Sequence, residues 1–190
     1  MASQEYDLGY LHAALPVLER YLMSPDVYWS LAATPPPGYP AYPQLTLGNL
    51  LLTQRRSVTR QDTPDLQGEQ DQLERELSAV QFRWKVAWEK KAAREFSARL
   101  RLWNNFLEEY RNDPEDNVDR YGYEVSRRVM LTLLDSEASI APAVEHELLA
   151  GLDGLLRTAF ISGDFIWERD IASGFPTDQF WYLYGKLRSD

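Results

Sequence analysis

Apolar residues recur along most of this chain at spacings of three and four, the period of a helix with one buried face. Leu8, Leu11, Leu15, Leu18 and Leu22 set the first stripe. Asp7 is placed to cap it, and Pro16 lies inside it, where a ring without an N–H kinks or divides a helix. SPDVYWSL, Ser24 to Leu31, predicts a short second helix, since serine caps and proline suits the first helical position. Residues 33–44, ATPPPGYPAYPQ, hold five prolines and a glycine and predict an extended loop with Tyr39 and Tyr42 on the surface. The loop has no PxxP flanked by basic residues, so a plain connection is preferred to a polyproline ligand. Thr46 caps a helix, LGNLLLTQRRSV, ending near Ser57, and the polar stretch TRQDTPDLQGEQ follows.

No proline interrupts residues 65–111, where apolar positions from Leu73 to Tyr110 advance by a mean of about 3.7 residues. A single helix there is about 60 Å long at 1.5 Å per residue, longer than a compact domain, so it bends, breaks or projects. Asp113 and Pro114 open an element with Val118, Tyr121, Val125, Val129 and Leu133 on one face, and Pro142 opens another rich in leucine. The tail divides at SGD and SGFP into a short helix near Phe165 to Ile171 and an aromatic last helix at residues 176–187. No stretch shows sustained strand alternation. The expected fold is all-α: an irregular bundle of six to eight helices around one long central helix, with residues 1–190 as a single helical domain.

Within the long helix, FRWKVAWEKKAAREFSARLRLW interleaves rings and cations. At about 100° per residue the two separate: Trp84, Trp88, Phe96 and Trp103 share one side, while Arg83, Lys90, Arg94 and Arg101 line the opposite side. Single-strand nucleic-acid platforms place rings and cations on the same accessible face, so this separation favours a core face and a solvated face. Four aligned cations still make a candidate stripe for phosphates or an acidic partner. The apolar arc also turns by about 110° near Lys91, with Lys91, Glu95 and Arg99 filling the vacated side at a spacing that lets them pair. The two halves of the helix are therefore expected to face different neighbours, and the rings of Trp84 and Trp88 to be available to a second copy.

Charge sharpens this picture. The chain of 190 residues has a net charge of −9, which opposes general affinity for polyanions. Only residues 81–111 are net positive, at +4, between segments of −5 and −8.

Candidate chemistry is sparse. Without cysteine, disulfides, thiolate nucleophiles and cysteine zinc sites are excluded. DPEDNVDRYGYE, Asp113 to Glu124, spaces oxygens as a calcium loop does, but Val118 stands where the sharp turn needs glycine. In VEHEL the position for a second zinc ligand, four after His146, is Ala150. His146 and His12 read as surface and core-edge residues. No phosphate-cradling glycine loop or nucleophile elbow occurs, and no apolar run reaches the length of a membrane span.

The expectation is a cytoplasmic, bacterial interaction or scaffold protein without cofactor or metal and with no membrane partner. It is homodimeric through aromatic faces carrying Trp84, Trp88, Phe180, Trp181 and Tyr184. The alternative is nucleic-acid or polyanion binding through Arg83, Lys90, Arg94 and Arg101. A third reading is an enzyme or small-ligand protein with a carboxylate-lined pocket.

Overall fold

In the computed structural model, which describes residues 3–60, 64–137 and 142–189, the first helix, α1 (Gln4–Met23), is capped by Ser3 rather than Asp7. The Ser3 side chain accepts from the Tyr6 amide at 3.1 Å. Asp7 is fully buried and takes both Arg56 and Arg60, each at 2.6 Å. Pro16 does not divide α1. It sits on the exposed side, where the carbonyl that loses its partner can turn to water.

The helix expected at Ser24–Leu31 is absent. Lys91 takes the carbonyls of Ser24 and Asp26 at 2.8 and 2.7 Å, the acceptors that a following helical turn needs. Trp29 then pairs with Leu45 across the proline-rich loop, at 3.0 and 2.8 Å. Tyr39 and Tyr42 are half-buried and pack back on α1, with ring centroids 5.3 and 5.0 Å from Tyr6.

Thr46 caps α2 (Leu47–Thr59) as predicted, accepting from the Asn49 amide. The polar stretch after it includes residues 61–63, which lie outside the described residues. The long helix is two: α3 (Pro64–Arg83) and α4 (Lys85–Asn112), parted at Trp84 with φ −109° and ψ 28°. No proline or glycine marks the spot. The two pieces have separate partners: α3 follows α1, with Gln70 at Gln4 and Arg83 at Glu19, while α4 turns its rings toward α6 (Tyr121–Glu137). One straight helix cannot present both apolar arcs to their neighbours, so the chain breaks between them.

Asp113 caps the short α5 (Pro114–Asn117), so the stretch resembling a calcium loop is helical, and a 3-10 turn at Val118–Arg120 leads into α6. Pro142 precedes α7 (Ala143–Ala159). The tail is not strandless, contrary to what its sequence predicts. Phe160–Phe165 and Tyr184–Leu187 form an antiparallel pair, β1 and β2, with an irregularity between Ser162 and Phe165. The expected helix near Phe165 to Ile171 is a 3-10 turn at Arg169–Gly174, and the expected aromatic helix at 176–187 is only α8 (Thr177–Phe180) plus a 3-10 turn. Phe175, Phe180, Tyr182 and Leu183 bury completely; in this segment burial of large rings outweighs helix propensity, which differs little among residues.

The fold is an all-α bundle, with eight α-helices and one two-stranded sheet among the described residues. A single apolar cluster joins α1, α2, α3, α4, α6, α7 and the tail. No described helix is long and apolar enough to cross a membrane.

Candidate anion-binding groove

The break at Trp84 opens an unfilled space where α3 leaves α1 and α4 begins. The end of α1 and the residues just after it, Leu22, Met23, Ser24 and Pro25, form one wall of an open groove of about 610 Å³, and Arg83 to Ala87, Lys90, Lys91 and Arg94 form the other. Five cations line it, and no carboxylate does.

These cations have different commitments. Lys91 is buried and structural. Its Nζ donates to the carbonyls of Ser24 and Asp26 and stands 4.4 Å from the centre of the Tyr21 ring. Burial lowers its pKa and Arg94 lowers it further, against Asp26 and Glu95. A cation here also suits the C-terminus of α1, where unpaired carbonyls concentrate negative potential. Arg94 is exposed and donates to the Pro25 carbonyl at 2.8 Å. Arg83 meets Glu19 at 3.2 Å with both side chains well exposed, a pairing worth about 0–1 kcal/mol. Lys85 stands 3.8 Å from Glu89. Lys90 is exposed and has no ion pair among the described residues.

The structure thus brings together three members of the predicted stripe, Arg83, Lys90 and Arg94, and leaves the fourth outside. Arg101 is exposed farther along α4 and lines no part of the groove. Lys85 and Lys91 join through the break and the end of α1. A single helical wheel places neither in the stripe, because it assumes one straight helix and no neighbour.

The aromatic candidates are distributed differently from expectation. Trp88 is 3% exposed, and its Nε1 donates to Glu137 at 2.9 Å. Phe180 is fully buried, edge-on to Phe175 and under the Arg55 guanidinium. Neither ring is a surface for a second copy, because each is enclosed by its own chain. Trp84, Trp181 and Tyr184 are half-buried. Trp181 lies under Arg157, 3.8 Å from its ring centre, and Tyr184 donates to the Phe175 carbonyl at 2.8 Å. The Trp84 Nε1 is shielded from solvent and has no acceptor among the described residues.

On the other side of the break, an open groove of about 450 Å³ holds two carboxylates, Glu89 and Glu137. Glu137 accepts from both Trp88 and Gln81. Burial raises its pKa, and the Trp88 hydrogen bond partly opposes this. His12 is exposed and paired with Glu69, and His146 is 3.4 Å from Asp135. No group of three or more His, Asp or Glu side chains among the described residues converges to hold a metal ion.

No protein family, curated protein or solved structure matches this chain.

Proposed function

We propose that this chain is a non-catalytic helical binding protein that takes an anionic partner in the groove at the α3–α4 break. One observation carries the reading: in a chain of net charge −9, five cations and no carboxylate line a single concave surface. Ordinary solvated faces mix both signs, whereas a concave surface of one sign concentrates the field and draws oppositely charged ligands. The loss of Trp88 and Phe180 to the core removes the strongest support for a homodimer through aromatic faces. The cytoplasmic setting expected from composition is retained as part of the proposal.

The test is affinity for a model polyanion, heparin oligosaccharide, at low and moderate salt. Binding should fall with salt and fall further in an Arg83→Glu, Lys90→Glu double variant, since each lost contact flattens the salt slope. Arg101→Glu, off the groove, is the control. Equal losses in the control and the double variant, or no binding by the native chain at low salt, overturn the reading.

A further inference from the structure

The cations are only part of the groove. Met23 and Val86 are 63% and 64% exposed, high values for large apolar side chains. Both line the same groove as Leu22, Trp84 and Ala87. The lining that faces the partner therefore combines apolar side chains from both walls with cations: Arg83 and Lys85 at the break, Lys90 and Arg94 along α4.

A phosphate polymer or sulfated sugar has anions to offer these cations but no aliphatic group to bury on Met23 and Val86. Nucleic-acid bases stack on exposed ring faces; the ring in this lining, Trp84, is half-buried, and Phe82, at 87% exposed, lies outside the lining. A protein segment supplies both chemistries at once. An apolar anchor in a pocket with charges around the rim is the usual anatomy of peptide recognition. The volume of about 610 Å³ falls in the range of roughly 300–1,000 Å³ that encloses a small ligand, enough for one anchoring side chain and its neighbours.

We infer that the groove's partner is an acidic protein segment whose apolar side chain inserts between Met23 and Val86 while its carboxylates meet Arg83, Lys90 and Arg94. The inference rests on the anion-binding reading above and names its partner class.

Fluorescence anisotropy on the full chain tests it with three probes of equal charge. These are an oligoglutamate peptide with one central leucine, the same peptide with serine in that place, and an oligothymidylate. The leucine peptide should bind about tenfold or more tighter than the serine peptide, the effect of burying one large aliphatic side chain. Val86→Ser should remove that preference and leave the serine peptide unchanged. Lys90→Glu should weaken both peptides. Because Val86 and Lys90 are exposed, unfolding curves of both variants should match the native chain.

Equal affinity for the two peptides, with binding still dependent on Lys90, overturns the acidic-segment inference and leaves the anion reading standing. Tighter binding of oligothymidylate than of the leucine peptide does the same in favour of nucleic acid. Preferential sedimentation with phosphatidylglycerol vesicles that is lost in Phe82→Ser does so in favour of a lipid surface. Affinity for all three probes that is insensitive to Lys90→Glu overturns both.

Discussion

Glu95 of α4 holds the first turn of α2 through the amide of Gly48, which donates to the two carboxylate oxygens at 3.0 and 3.1 Å. Arg99, one turn later, donates to the same carboxylate at 2.6 Å and to the Thr46 hydroxyl at 2.8 Å. Both side chains are buried. Breaking such a pair from one side leaves an uncompensated buried charge, at about 3–5 kcal/mol. Arg99→Met is therefore expected to destabilise by about that amount; Glu95→Gln also removes the counter-charge of Arg99 but is expected to cost less, because the amide oxygen still accepts a hydrogen bond and Arg99, slightly nearer solvent, keeps Thr46. Urea unfolding at constant m checks the ordering, and Glu95→Gln as the costlier change would contradict it.

Gly48 itself is fixed by this contact. A Cβ there meets Glu95 Oε1 at 2.6 Å, Arg99 Nε at 2.9 Å and the Met130 Cβ at 3.1 Å. Gly48→Ala is expected to cost about 1–3 kcal/mol, as overfilled sites do. Gly151 and Gly154 in α7 have nothing within 4 Å of the same position, so alanine at either should stabilise by about 0.4–1 kcal/mol. Thermal unfolding of the three single variants should show opposite signs.

Two neighbouring lysines should separate just as clearly. Lys91→Met leaves the carbonyls of Ser24 and Asp26 without their donor and is expected to cost about 1–3 kcal/mol. Lys90→Met, at an exposed position without an ion pair among the described residues, should change stability by less than about 0.5 kcal/mol. A costly Lys90 variant would mean that this lysine is structural and weaken its place in the groove.

Glu137 gives a pH signature. Burial holds its carboxyl above the ordinary range, with the Trp88 hydrogen bond in opposition. A carboxyl with a raised folded pKa binds its proton more tightly in the fold, so its contribution is greatest at low pH and is lost as pH rises through the folded value. Glu137→Gln keeps an acceptor for Trp88 and removes the ionisation. The variant should be more stable than the native chain at neutral pH, with the gap closing as pH falls toward the unfolded carboxyl value of about 4.3. A gap that widens on acidification would show that the Trp88 contact favours the charged form more than burial opposes it.

The helical character was legible because Leu8 to Leu22 and Leu73 to Tyr110 carry a clear period, and because Thr46, Asp113 and Pro142 mark real helix starts. The position of the break was not. Trp84 carries no glycine or proline signal, and only the turn of the apolar arc near Lys91 hinted that two neighbours were involved. The strands escaped for a different reason: FISGDF and YGKL are short, contain glycine and depend on each other across the eighteen positions that separate them. Arg83, Lys90 and Arg94 were legible as aligned cations on one helix. The groove they line needs Met23 and Ser24 from α1, and such tertiary proximity leaves no trace in local spacing.

Arg55 of α2 and Arg60, its C-cap, carry a consequence for how the molecule is made. Arg60 donates to Asp170 at 2.7 Å, 110 positions downstream, and Arg55 reaches the Gly174 carbonyl, 119 positions downstream. At about 5–20 residues per second, a ribosome needs roughly 5–25 s to deliver those partners after α2 has been synthesised. During that interval one face of α2 is without the ring-bearing tail that later covers it. A nascent chain is thus left to hold an incomplete layer until the segment around Asp170 and Gly174 emerges, and over that interval the uncovered face of α2 is open to contacts with other chains.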